Sequence, residues 1–341
     1  MNQKRIPSGY ITHTESKLEI IAILRKRWDM IDQIGVLLKS ATGEIGTPKA
    51  IWKLLYTTIG YVSSFFSFAV LVKDIMGFDK LDLWIKENWG MVIIAGLIVS
   101  CLHNRKRVDC CKKVSNSDMQ IAIGVRDIFW NRCANSYIIP TNTLFRTIMD
   151  NEYISKGSVQ GRFQLRYFKK NIHGLDDLIN VSLKRQGIKG TSVFDCFGST
   201  TKYPVGTVAK IDYKRKHFYF VAINDINDFG KPIGQSIENV SIALNAVTDA
   251  IKRMGHYDTL CIPLLGSGKA AIQGATKENV FQQTVDYFVQ SEDKLANKLI
   301  ISINPKDYIN NKIDLNRMEK YLDYQCEFGK LCNHASSRNA V

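Results

Sequence analysis

Hydrophobic positions follow three different patterns along the chain. From Leu18 to Leu38 they step by three and four, through Ile21, Leu24, Trp28, Ile31 and Ile34. That period predicts an amphipathic helix over 18–38. Lys17, Arg25, Lys26 and Arg27 lie in or beside it. Its apolar face suits a membrane interface, a self-association surface, or the protein's own body. Residues 42–48 hold two glycines and a proline and read as a linker, which closes an N-terminal segment at residue 48.

The second pattern is continuous. Leu54 to Val72 runs for 19 residues without a charge. As a helix it would be about 28 Å long at about 1.5 Å per residue, close to the hydrocarbon thickness of a bilayer. Trp89 to Leu102 is a second uncharged run of 14 residues, too short to span alone. It reaches spanning length if it starts at Leu83 and lets Lys86 and Glu87 sit at the interface. Trp84 and Trp89 would then mark that boundary. The reading is a two-helix hairpin over 49–104, with spans near 54–72 and 83–102. A buried core helix is the soluble alternative for the first run.

From about Asp118 short apolar runs alternate with helical stripes. Strands are predicted over 119–125, Tyr137–Ile139, Thr191–Phe197, Val205–Ile211, His217–Ile223, Thr259–Ile262 and Leu299–Ile303. Ser236 to Met254 is a helix whose buried stripe is Ile237, Val240, Leu244, Val247 and Ile251. Further helices are predicted over 277–290 and 314–324, the last followed by a polar tail. Such alternation implies an α/β domain over 115–310, with a mixed, largely parallel sheet between helices, and a C-terminal segment over 311–341. Ligands of such sheets sit at the carboxyl ends of the strands.

Charge refines the picture. The chain has 341 residues, a formal charge of +14 and 45% hydrophobic residues, enough for about two globular units. Lys39, Lys49 and Lys53 precede the first span, and Arg105, Lys106, Arg107, Lys112 and Lys113 follow the second. Basic residues favour the cytoplasmic side, so both termini are expected there, on a multi-pass membrane protein. The polar N-terminus gives no sign of a cleavable signal. Membrane flanks and a phosphate ligand account for the charge, so no nucleic-acid partner is expected. Eight scattered cysteines read as free thiols of a reducing compartment. Cys110 and Cys111, just past the second span, could alternatively be acylated. Cys326, Cys332 and His334 lack a fourth ligand at zinc spacing, so no metal is expected.

The chemistry concentrates in Thr259–Gly274, TLCIPLLGSGKAAIQG. A buried strand closes at Pro263 and turns into Leu265, Gly266, Ser267, Gly268 and Lys269. Two glycines let backbone N–H groups converge, and a lysine stands beside them, which suits a phosphate.

Five stretches, in order, resemble the macro domain, an ADP-ribose-binding α/β fold. They are Val125–Ile128, Ser136–Thr143, Ile154–Gly161, Tyr203–Gly206 and Ile262–Lys269. The resemblance implies that Asp127, with Ile128, recognises adenine and that Asn142 reaches the distal ribose. It implies two loops around a diphosphate: Gly157, Ser158, Val159 and Gly161 in one, Leu265 to Lys269 in the other. Where hydrolytic relatives carry Asn-Ala-Ala-Asn, this chain has Ile139-Pro140-Thr141-Asn142-Thr143, with no base beside Asn142. Binding without turnover is therefore expected, with no catalytic residue and no cofactor. A membrane-tethered ADP-ribosyl hydrolase is the alternative. An amphipathic start, two spans and a divergent macro domain together resemble the membrane effector of type II Thoeris anti-phage defence. That resemblance implies a partner TIR-domain protein that makes an ADP-ribose-derived signal from NAD. It also implies homo-oligomerisation on binding and disruption of the membrane.

Overall fold

The computed structural model describes residues 30–40, 48–77, 80–104, 108–115, 117–131, 133–149, 154–169, 171–195, 198–227, 232–254, 257–266, 268, 272, 274–291 and 293–338. They divide into two compact units, one up to Arg107 and one from Val108.

In the first unit residues 30–40 form helix α1; residues 18–29 of the predicted helix lie outside the described residues. The predicted apolar stripe faces outward, with Ile31, Ile34 and Leu38 exposed, while Val36, Lys39 and Ser40 are buried. Two long helices follow, α2 (Pro48–Met76) and α3 (Lys80–Asn104). Both are long and apolar enough to cross a membrane. They pack on each other through small and polar side chains. A Cβ on Gly96 would lie 2.7 Å from Val62 Cγ2, so only glycine permits this approach. Gly60 of α2 faces open space instead. At one end Thr57 Oγ1 pairs with Ser100 Oγ, and Asn104 Nδ2 donates to Thr57 Oγ1 at 2.8 Å. Asn88 has non-helical dihedrals and kinks α3, its side-chain amide donating to Trp84 O at 2.9 Å. The outer faces carry Trp52, Tyr56, Phe68 and Ile75, each more than 60% exposed.

The second unit is a mixed sheet between helices. The strands are β1 (Asp109–Lys113), β2 (Gln120–Val125), β3 (Ser136–Asn142), β4 (Thr191–Asp195), β5 (Gly198–Lys202), β6 (Val208–Tyr213), β7 (Lys216–Ile226), β8 (Pro232–Ile233), β9 (Tyr257–Pro263) and β10 (Ala296–Ile303). The helices are α4 (Val159–Tyr167), α5 (Ile172–Arg185), α6 (Ile237–Met254), α7 (Lys277–Gln290), α8 (Pro305–Ile309) and α9 (Leu315–Arg338). The main sheet runs β1-β2-β10-β9-β3-β7-β6, with β8 on β7. Its five inner strands, β2, β10, β9, β3 and β7, are parallel, and the outer ones pair antiparallel.

Alternation along each strand sorts the core into two layers. Ala122, Tyr137, Ile139, Phe218, Phe220 and Ile300 face Phe163 and Phe168 at α4, and Leu175, Ile179 and Leu183 of α5. The intervening Ile121, Ile138, Tyr219 and Leu299 point to the other face, where α6 covers β7 and packs on α7. Phe163 fixes α4 to the sheet, with ring centroids 4.7 Å from Phe218 and 5.1 Å from Phe220.

Five elements depart from the sequence reading. The sheet starts at Asp109, not at residue 115. Nothing in Asp-Cys-Cys-Lys-Lys has strand alternation of polarity, and the strand forms because Cys110 and Lys112 register with Ile123 and Ile121 of β2. Residues 191–195 pair only with β5, as a separate hairpin, not with the main sheet. Helices α4 and α5 were not anticipated, although Leu175, Ile179 and Leu183 have helical spacing. The expected polar tail is helical to Arg338. Met318, Leu322 and Cys326, four apart, are all buried and carry α9 past the predicted end.

The thiols of Cys110 and Cys111 differ. Burial and the nearby Glu319 push Cys110 up to about 12, which makes it a poor nucleophile, whereas Cys111 is exposed. Among the described residues no cluster of histidine, cysteine or carboxylates could hold a metal.

Candidate ligand-binding site

The carboxyl ends of all five parallel strands open into one cavity of ≈ 510 Å³. Each strand delivers a wall. Arg126 and Ile128 follow β2, Ser302 and Asn304 close β10, and Pro263, Leu264, Gly266 and Gly268 follow β9. Thr141 and Asn142 end β3, and Ile223, Asn224 and Ile226 end β7. From β2 to β7 there are four strand spacings of about 4.8 Å, so the row of strand ends is about 19 Å long. That is room for an elongated ligand and exceeds what one nucleoside needs.

Helix α4 closes the roof. Ser158 is its N-cap: its Oγ accepts from Gly161 N at 3.0 Å and donates to Ser155 O at 2.7 Å. Gly157, Ser158 and Val159 line the cavity. Gly161 does not. A Cβ there would lie 2.2 Å from Ser155 O, so this glycine lets the preceding loop fold back on the helix. Gln160 ties the helix down: its Oε1 accepts from Thr141 Oγ1 at 3.1 Å and its Nε2 donates to Arg146 O at 2.9 Å. On the facing loop Gly266 has φ 68°, a left-handed backbone that favours glycine. Leu265 is fully buried and stands outside the lining, so its side chain serves the core. Ser267 and Lys269 lie outside the described residues.

Asn142 ends β3 at a register shift, 7% exposed. Its Oδ1 accepts from Leu144 N at 3.0 Å, a local turn, while the residue still lines the cavity. Asp127 has another role. Its Oδ1 accepts from Phe129 N at 2.8 Å as the N-cap of a short 3₁₀ turn, and its Oδ2 accepts from Arg162 Nη1 at 2.5 Å. The aspartate is not among the lining residues; Arg162 is.

The structure therefore gathers Ile128, Asn142, Gly157, Ser158, Val159, Gly266 and Gly268 around one space, and leaves Asp127, Gly161 and Leu265 behind its wall. It adds charged residues that sequence reading missed. Among the described residues Arg126, Arg162, Lys277 and Lys312 line the cavity, against one lining carboxylate, Asp307. Lys277 pairs with Asp307 at 2.5 Å. This balance favours an anionic ligand. Arg126 was legible as the neighbour of Asp127, and Asp307 and Lys312 as residues just beyond the last parallel strand. Arg162 had no signal, because α4 was not anticipated.

At the β7 end Asp225 stands beside the lining residues Asn224 and Ile226. Burial pushes its carboxyl up, but Lys202, Thr143 Oγ1 at 2.8 Å and Ile226 N at 2.9 Å outweigh that and hold it below its ordinary value. The Lys202 pair fastens the β4–β5 hairpin to β7, and the Thr143 bond ties the segment after β3 to it.

Comparison with known proteins adds the following. The family described as Thoeris protein ThsA, macro domain, matches residues 121–304. A Thoeris protein ThsA of Bacillus amyloliquefaciens (strain Y2) is 30% identical over 157 residues, which are 46% of this chain and 50% of that protein. The chain thus spans about half the length of the curated relative it matches. Among solved structures, an Oceanobacillus iheyensis macrodomain with MES bound is 13% identical, with a TM-score of 0.44 over 64% of this chain and 99% of that one. The same macrodomain with ADP is 12% identical, with a TM-score of 0.44 over 64% and 98%.

Proposed function

The chain belongs to the family of the Thoeris protein ThsA macro domain, and from that premise we propose that it is a membrane-anchored effector of anti-phage defence. Its macro domain binds an ADP-ribose-derived signal that a partner TIR-domain protein makes from NAD. Binding drives homo-oligomerisation, and the helical hairpins then breach the bacterial inner membrane, both termini staying cytoplasmic.

One observation carries the ligand part. The ≈ 510 Å³ cavity lies within the usual size of small-molecule sites. It joins two glycine-bearing loops, Gly157–Ser158 and Gly266–Gly268, with an excess of lining cations. Backbone donors and positive charge on an elongated groove fit a diphosphate flanked by two sugars. The membrane part rests on α2, with outward Trp52, Tyr56, Phe68 and Ile75, and on α3, with outward Leu83 and Trp89; these side chains would be unfavourable in water and are at home in lipid. The outward stripe of α1 supports contact with lipid or a second copy.

The full chain reconstituted into dye-loaded vesicles tests the proposal. ADP-ribose-type ligand should release dye, and the loss should be absent without ligand. Tightly sealed vesicles at saturating ligand would contradict it.

The hydrolase reading has one supporting observation, the place of Asn142 at the cavity wall. Against it, Asn142 Oδ1 is occupied by Leu144 N, and Asp307, the one lining carboxylate among the described residues, is held by Lys277. Incubation with an ADP-ribosylated protein separates the two: release of ADP-ribose, lost in Asn142→Ala, would favour turnover.

A further inference from the structure

At the β2 end of the cavity the protein presents two guanidinium groups. Arg126 and Arg162 both line the space, and each is held from behind by an aspartate that does not. Arg126 Nη2 pairs with Asp109, and Arg162 Nη1 with Asp127 at 2.5 Å. Ser302 Oγ donates to Arg126 O at 2.7 Å and so fixes that residue's backbone between β2 and β10. Both oxygens of Asp127 are engaged, one by Phe129 N and one by Arg162. The Arg162 side chain is 18% exposed, and its Nε is buried with no partner among the described residues.

A guanidinium carries five N–H donors in a fixed fork and no acceptor. Carboxylates behind such a fork set its plane and leave its other donors to the cavity. The adjoining residues Ile128 and Val159 bring apolar side chains to the wall. This end of the cavity therefore offers donors and positive charge. Among the described residues, the amino group of an adenine, itself a donor, would find no free carboxylate at this end. A phosphate oxygen pair would meet the fork with matched geometry.

We propose that Arg126 and Arg162 form an anion subsite for a phosphomonoester on the nucleoside end of the ligand. It is separate from the loops Gly157–Ser158 and Gly266–Gly268 that would hold a diphosphate. This rests on the reading that the cavity takes an ADP-ribose-type ligand, and it narrows that class to members phosphorylated at the end lying over β2.

Calorimetry on the full chain in detergent tests it, using ADP-ribose and ADP-ribose with an added phosphate on the adenosine ribose. The phosphorylated probe should bind at least about tenfold tighter at low salt, as extra charge-assisted hydrogen bonds imply. The ratio of the two affinities is the readout, so a general loss of affinity does not confuse it. Arg162→Lys keeps a charge for Asp127 but loses the fork, and Arg126→Gln alters the more exposed partner. Each should bring the ratio close to one while thermal melting shows the chain still folded. Equal affinities in the unmodified chain would overturn the subsite and leave the proposed function standing. A ratio unchanged in both variants would overturn it equally. Binding of neither probe would overturn both proposals.

Discussion

At the scale of single residues, glycines that look alike in sequence do different work. Gly266 is in the left-handed region at φ 68°, so its backbone places the loop at the cavity. Gly266→Ala should strain that turn by about 1 kcal/mol and weaken binding of ADP-ribose about fivefold, read by calorimetry. Gly161 stands away from the ligand space, and the constraint there is steric, a Cβ 2.2 Å from Ser155 O. Gly161→Ala should lower stability by about 1–3 kcal/mol, as overpacking does, visible as a drop in melting temperature. The glycine pattern was readable in the sequence; which glycine serves packing was not, because that depends on how α4 folds back on its own loop. The same limit applies to Asp127. An aspartate after a strand was legible, but its commitment to Arg162 depends on a helix with only weak periodicity. Arg162 lies on α4 beside Phe163, and that helix is fixed by tertiary partners, Phe163 among Phe218 and Phe220 and Gln160 on Thr141 and Arg146.

At the scale of elements, the β4–β5 hairpin stands outside the main sheet, and the Lys202–Asp225 ion pair is one of its ties to the cavity rim. Because the folded carboxyl of Asp225 titrates below its ordinary 3.8, its stabilising effect is complete above that value. It is lost as pH falls through the depressed folded value. Asp225→Asn should cost about 1 kcal/mol at neutral pH, and the deficit relative to the unmodified chain should shrink as acid melting curves pass below pH 3.8. A deficit that stays constant into acid would refute this assignment. Helices α6 and α7 and the inner strands were legible because burial dictates their pattern, and α2 because its long uncharged run does. The edge strand β1 and the later turns of α9 were not. Their polar sequences fold through partners distant in the chain, such as Lys112 with Asp323 at 2.5 Å and Ser115 N with Cys326 O at 2.7 Å.

For the whole molecule, the hairpin and the macro domain are separate units of one chain, and under the proposed function a signal bound in one acts on the other. Placing both termini on one side of the membrane makes a clear statement about access. A cysteine introduced at Gly77, between α2 and α3, should react with an impermeant maleimide in intact spheroplasts. One introduced in α9 should react only after the membrane is opened. The reverse pattern would reject the proposed orientation.

The central claim is that the cavity at the strand ends binds an ADP-ribose-type molecule. Titration of the purified full chain with ADP-ribose in a calorimeter tests it most directly, alongside Gly268→Glu, which puts a carboxylate beside the cavity. Saturable binding at one site per chain, abolished or weakened at least about tenfold by a like charge of this kind, is the predicted result. No heat of binding in the unmodified chain, or equal affinity in the variant, would contradict it.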